Sequence, residues 1–128
     1  AILMCQGTDA DLYLVESVGK KAAFLRAALR NASATGIVLN ERIEQVKIKI
    51  HSVNVVTARA LAPLERLIGL AEPWLSNGSV GLFHKGREFR HEIVKARDVW
   101  AFNLIEHPSK IDVESVILEI SNVSPHLQ

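Results

Sequence analysis

Leu12-Tyr13-Leu14-Val15-Glu16-Ser17-Val18-Gly19-Lys20-Lys21-Ala22-Ala23-Phe24-Leu25-Arg26 is the stretch that decides the fold. Leu12–Val15 is an apolar run of strand length that stops at a carboxylate. From Ala22 to Leu29 the residues favour helix. Phe24 with Ala28, and Leu25 with Leu29, recur at four-residue spacing, which predicts a helix with one apolar face. A strand running at once into a helix is the first half of a βαβ unit.

The alternation continues outward. Gly36 precedes a second short strand, Ile37–Leu39, and β-branched residues predict a third over Val53–Thr57. Pro63 suits the first turn of a helix, where a missing N–H costs nothing. Leu64, Leu67, Ile68 and Ala71 give that helix a buried stripe. Asn77-Gly78 is a turn signal, Ser79–Phe83 a fourth strand and Arg87–Val99 a polar, exposed helix. Val99–Glu106 and Val113–Ile120 then read as two strands joined by a hairpin-like loop centred on His107-Pro108-Ser109-Lys110. Trp74 and Trp100 fall in helix and strand patterns as core or core-edge residues. The expected fold class is α/β, a mostly parallel sheet with an antiparallel edge. Leu12–Val15, Ile37–Leu39, Val53–Thr57 and Val80–Phe83 should run parallel, with Val113–Ile120 antiparallel near one edge.

Composition bounds the function. The chain has 128 residues, 48% of them apolar and 23% charged, an ordinary balance for one folded domain. A net charge of +1 excludes a globally basic nucleic-acid binder but leaves room for a basic patch. Cys5 stands alone, so neither an intramolecular disulfide nor a thiolate zinc site is expected. The five histidines, His51, His84, His91, His107 and His126, show no ligand spacing, so no metal is expected. Ala1–Cys5 is apolar but short and without a basic leader, and no run approaches the roughly 20 apolar residues of a membrane span. The expectation is a cytoplasmic domain without a membrane partner.

Ligands of open α/β sheets bind beyond the carboxyl ends of the strands. Those ends carry Glu16-Ser17, Asn40-Glu41-Arg42, Ala58-Arg59-Ala60 and His84-Lys85-Gly86. A carboxylate at Glu16 can accept two ribose hydroxyls, or it is a solvated strand-end acid. Lys20 and Lys21 open a helix whose dipole they oppose, so they either meet an anion such as phosphate or are an ordinary solvated pair. The Arg59 guanidinium can hold a carboxylate, phosphate or base edge bidentately, or it serves a structural ion pair. Gly86 lets backbone approach a ligand, or Lys85-Gly86 is a plain turn.

In order along the chain, Leu14–Arg26, Glu41-Arg42-Ile43-Glu44, Val55-Val56-Thr57-Ala58-Arg59-Ala60-Leu61-Ala62-Pro63-Leu64 and Lys85-Gly86 closely resemble the RsmG (GidB) family, bacterial 16S rRNA 7-methylguanosine methyltransferases. The likeness spans roughly residues 9 to 120. The first and third blocks are specific. The resemblance implies a Rossmann-like methyltransferase fold, S-adenosylmethionine as cofactor, and 16S rRNA or the small ribosomal subunit as partner. It implies that Glu16, with Ser17 beside it, holds the cofactor ribose. Arg42, Ile43 and Glu44 match a loop along the adenine. Arg59 and Lys85 match catalytic residues at the substrate side, Arg59 also touching the cofactor, and Lys20, Lys21 and Arg26 could contact rRNA phosphate.

Two departures accompany the likeness. Family members carry a glycine-rich loop after a first strand, preceded by N-terminal helices; neither is among these 128 residues, and Ala1–Gln6 resembles the end of the helix after that loop. Asn54 stands where the family commonly has Asp. The expectation is one N-terminally truncated methyltransferase domain, 1–128, either a fragment or a truncated form. Its open sheet edges are an association hazard, which makes a homo-oligomer one possible partner. The competing reading is a non-catalytic, methyltransferase-like remnant that only folds or binds a partner. Methylation of guanine at its ring nitrogen 7 removes no proton from that nitrogen, in keeping with a sequence that offers no poised acid–base pair.

Overall fold

The computed structural model describes residues 10–59 and 61–126. Ala1–Gln6 and Cys5 lie outside the described residues. The chain divides into two compact units, Ala1–Ile50 and His51–Gln128.

In the first unit, β1 (Tyr13–Val15) and β2 (Ile37–Leu39) pair in parallel, with Tyr13 opposite Ile37 and Val15 opposite Leu39. Helix α1 (Gly19–Asn31) connects them, as a parallel pair requires. It ends in a Schellman motif: Ser33 takes the left-handed conformation (φ 50°), its N–H donates to the Arg30 carbonyl, and the Ala34 N–H donates to the Leu29 carbonyl. Ala22 and Leu29 are buried. Phe24, expected on the apolar face, is 70% exposed instead. It lies two residues from Ala22, about 200° around a 3.6-residue helix, so the two cannot share a face. Helix α2 (Ile43–Lys49) follows β2 and buries Val46. The sequence pattern did not mark this helix, because the family likeness suggests a loop there and seven residues carry little periodicity.

The second unit holds β3 (Val55–Arg59), α3 (Leu64–Leu75), β4 (Val80–Lys85), α4 (Phe89–Arg97), β5 (Trp100–Pro108) and β6 (Val116–Pro125). Its sheet order is β3-β4-β6-β5, with β3 parallel to β4 and β6 antiparallel to both neighbours. The antiparallel strand therefore lies one place in from the edge, and β5 is the edge. β1 and β3 each have a single strand partner among the described residues.

Leu64, Leu67, Ile68, Ala71, Trp74 and Leu75 of α3 are all buried, joined by Phe83, Ile93, Ala96 and Phe102. This confirms the stripe read from Leu64 to Ala71. The turn at Asn77-Gly78 forms with Gly78 at φ 99°. Gly81 is required by packing: a β-carbon there would stand 2.8 Å from Phe83 Cζ.

β6 begins three residues later than expected and runs five further. Val113 lies in the preceding loop, 97% exposed. Val116, Leu118 and Ile120 point inward at a spacing of two, but the next buried residue is Val123. A bulge explains the change of phase: Ala101 pairs with Ser124 and Asn103 with Ser121, so β6 holds one extra residue, and Asn122 adopts φ 53°. No helix among the described residues is long and apolar enough to cross a membrane.

Candidate functional site

In the first unit, both strands end on the same edge because they are parallel. The turn after β1 is held by β2: Asn40 Nδ2 donates to the main-chain oxygens of Glu16 (2.9 Å) and Ser17 (3.1 Å). The Glu16 N–H donates to Leu39 O at 3.0 Å. Glu16 is half-buried, and its Oε1 accepts the Val18 N–H at 3.1 Å. Its Oε2 has no partner among the described residues. Helix α1 starts directly beyond, with no acidic residue in its first turn and no side-chain cap. The Glu16 carboxylate thus stands next to the positive end of that helix.

The adjoining strand end carries Glu41, Arg42, Ile43 and Glu44. Arg42 is the N-cap of α2 and Glu44 lies in its first turn, so this segment opens a helix. Glu41 Oε1 pairs with Lys49 Nζ at 2.5 Å, while Glu41 Oε2 is buried without a hydrogen-bond partner. A buried carboxylate oxygen in that condition is costly unless something donates to it. Asn40 and Glu41 were read at a strand end from the sequence but given no role of their own. An Asn following a strand is a common turn residue, and the orphan oxygen becomes visible only with the fold.

Lys20 and Lys21 are exposed in the first turn of α1, and Arg26 is exposed further along it. Arg26 and Arg30 border one shallow depression. No carboxylate among the described residues forms an ion pair with any of these four cations.

In the second unit, Arg59 is the last residue of β3, opposite His84 in register. It is exposed, and its side chain has no ion-pair or hydrogen-bond partner among the described residues. Lys85 ends β4 and is 7% exposed. Its Nζ lies 2.9 Å from Glu92 Oε1 and donates to Ala62 O at 2.6 Å. Among the described residues, the ion pair at these two strand ends is that of Lys85. A β-carbon on Gly86 would meet nothing within 4 Å, so the space beside it is open. Among the described residues no group of His, Cys, Asp or Glu is arranged to hold a metal ion.

Parallel strands with interleaved helices, a terminal antiparallel pair and polar groups at the strand ends define a Rossmann-like methyltransferase fold. Solved structures agree. An rRNA methylase from Streptococcus thermophilus superposes with a TM-score of 0.61 over 91% of this chain and 76% of its own, at 9% identity. A precorrin 8w decarboxylase from Methanobacterium thermoautotrophicum gives 0.56 over 85% and 68%, at 12% identity. These likenesses carry the fold and not the substrate.

Sequence comparison is more specific. The family described as GidB, rRNA small subunit methyltransferase G, matches residues 1–117. The ribosomal RNA small subunit methyltransferase G of Chelativorans sp. is 49% identical over 123 residues, covering 96% of this chain and 59% of that protein. Its Brucella ovis counterpart is 50% identical over 123 residues, covering 96% and 58%. The chain belongs to the rRNA small subunit methyltransferase G family, and it spans somewhat under three-fifths of the length of these relatives.

Proposed function

We propose that the chain is the carboxyl-terminal part of a methyltransferase domain that methylates guanine at ring nitrogen 7 in 16S rRNA, with S-adenosylmethionine as methyl donor. The observation that carries this reading is Arg59, an exposed guanidinium without a side-chain partner among the described residues, at the carboxyl end of a parallel strand in a chain of this family. The glycine-rich loop that completes the cofactor cradle is proposed to lie outside these 128 residues.

The first unit fits the nucleoside part of that cofactor. Glu16 offers one carboxylate oxygen for ribose hydroxyls while Asn40 fixes the turn beneath it, with Ser17 alongside. Glu41, with its buried unsatisfied oxygen, and the Arg42-Ile43-Glu44 helix start offer acceptors and a side wall for the base. When bound, the cofactor supplies a methyl group on a sulfonium, ready for transfer without prior activation.

Guanine nitrogen 7 attacks with its own lone pair, so no residue of the chain needs to remove a proton. The protein's contribution is then placement. Arg59 donates to guanine O6, an acceptor that guanidinium groups favour on this base, and leaves nitrogen 7 free to react. Lys85 supports the same end of the sheet. Lys20, Lys21 and Arg26 meet rRNA phosphates, an interaction that weakens with salt.

The test is transfer of tritiated methyl to small ribosomal subunits and to free 16S rRNA from cells lacking the mark. The chain is used alone and fused behind the N-terminal segment of the Brucella ovis relative. Label at guanine nitrogen 7 from the fused protein supports the reading. Label on another atom, or none from a folded fusion, overturns it.

A further inference from the structure

We propose that the loop joining β5 to β6 is a wedge for folded RNA: Ile111 and Val113 fill the gap that the target guanine leaves in its base stack. The inference rests on the reading of the chain as a guanine methyltransferase and adds the means by which the base is kept out of its stack.

The loop leaves the sheet at the edge that carries Arg59. Pro108 at the end of β5 pairs with Val116, Val116 pairs with Lys85, and His84 beside Lys85 stands opposite Arg59. Neighbouring strands lie about 4.8 Å apart, so β6 is about 10 Å from β3 along that edge, the span of about three stacked nucleotides. Hydrogen bonds fix the shape of the loop. The Ile111 and Asp112 N–H groups donate to Ser109 Oγ at 3.2 and 3.1 Å. The Glu114 N–H and the Ser115 hydroxyl donate to the two Asp112 carboxylate oxygens at 3.0 and 2.8 Å. Ser109 N donates to Ser115 O at 3.0 Å and closes the loop. Arg87 Nη2 pairs with Glu114 Oε1 at 2.7 Å, which ties the loop to the turn after β4.

On this frame Ile111 is 98% exposed and Val113 97%. A single exposed aliphatic is ordinary. Two of them, almost without contact on a loop this tightly hydrogen-bonded, are held out towards a partner. Charge favours RNA over a protein groove. Asp112 and Glu114 are engaged within the loop and by Arg87, while Lys110 is exposed with no ion pair among the described residues. An apolar tip beside a free cation suits bases flanked by phosphate. The reaction points the same way. Guanine nitrogen 7 lies on the major-groove edge, and in an RNA helix that groove is too deep and narrow for side chains to read. Enzymes that act on a base within a duplex take it out of its stack. Where proteins part a base stack, apolar side chains such as Ile are inserted between the bases.

The test uses the fused protein with Ile111→Ser and Val113→Ser combined. Both side chains are almost fully exposed, so the melting temperature and cofactor affinity should hold. On free 16S rRNA, kcat/KM should fall at least tenfold, and Ile111→Leu with Val113→Leu should keep most of the rate. On a short single-stranded oligoribonucleotide with the same guanine there is no stack to open, and the Ser variant should stay within about twofold of wild type. No loss on 16S rRNA overturns the proposal, and so does an equal loss on both RNAs. A loss confined to intact small subunits also overturns it, because the loop would then meet a protein. If the wild-type fusion methylates neither RNA, the function reading fails by itself. In that case, or if it spares the oligonucleotide, binding decides the wedge. A hairpin RNA with 2-aminopurine next to a stem guanine should brighten, as an unstacked base does, with wild type and with the Leu variant but not with the Ser variant. A hairpin that stays dim with wild type, or brightens equally with the Ser variant, overturns the proposal.

Discussion

The Asn40 side chain spans from the end of β2 to the turn after β1, donating to the main-chain oxygen of Glu16 at 2.9 Å and to that of Ser17 at 3.1 Å. The backbone beneath the Glu16 carboxylate is thereby set by the neighbouring strand, and Glu16 Oε1 is turned onto the Val18 amide. A flexible strand-end acid becomes an oriented acceptor.

This orientation gives the first prediction. In the fused protein, Glu16→Ala should weaken S-adenosylmethionine binding by about 1.5–3 kcal/mol, the range for hydrogen bonds to a charged acceptor. Asn40→Ala should weaken it less, because it loosens the turn and leaves the carboxylate in place. Calorimetric titration measures both. The 128-residue chain alone should bind weakly or not at all, and micromolar affinity would contradict a cradle completed from outside.

Arg59→Ala should cut methyl transfer to rRNA about 10- to 150-fold, the equivalent of about 1.5–3 kcal/mol for a charged hydrogen bond to O6 that leaves nitrogen 7 free, with cofactor affinity nearly intact. Arg59→Lys should recover little, since an ammonium cannot reproduce the planar fork. Rate, cofactor affinity and melting temperature measured on one preparation separate this from a structural role, which would lower all three together.

Gly81→Ala tests the core. The new methyl would stand 2.8 Å from Phe83 Cζ and 3.3 Å from Leu75 Cδ2, so the ring must shift inside a packed layer. Overpacking of this kind costs about 1–3 kcal/mol. The midpoint of urea denaturation should fall accordingly, with an unchanged slope.

Asp112, in the loop before β6, has its carboxyl held below the ordinary carboxylate value. The main-chain N–H of Glu114 is the main cause and the Ser115 hydroxyl the next. A folded value below the unfolded one stabilises the loop above the unfolded value of about 3.9, and this is lost as pH falls through the folded value. The Glu114 amide resonance should therefore be constant above about pH 5 and move only in the acid range. In Asp112→Asn that movement should vanish.

Much of this was legible in the residues. The strand–helix alternation, the stripe from Leu64 to Ala71 and the Gly78 turn follow from local pattern. Glu16, Arg59 and Lys85 could be placed at strand ends because strands end where apolar runs meet charge. Local pattern failed where it was short, as over Ile43–Lys49, or where one extra residue changed its phase, as at Asn122.

Pairing across the chain was another matter. Arg59 and Lys85 look alike as sequence, each a cation at the end of an apolar strand. Only the tertiary structure makes Lys85 a buried ion-pair partner of Glu92 and leaves Arg59 exposed, because α4 brings a carboxylate over the end of β4 and no described carboxylate reaches the end of β3. Sequence by itself determined the family, the order of elements and the residues present at the strand ends, since these depend on near neighbours and on side-chain chemistry. Which of those residues face outward and which are held within was decided by groups distant in the chain, such as Ala62 and Glu92 around Lys85, whose meeting depends on how the helices pack against the sheet.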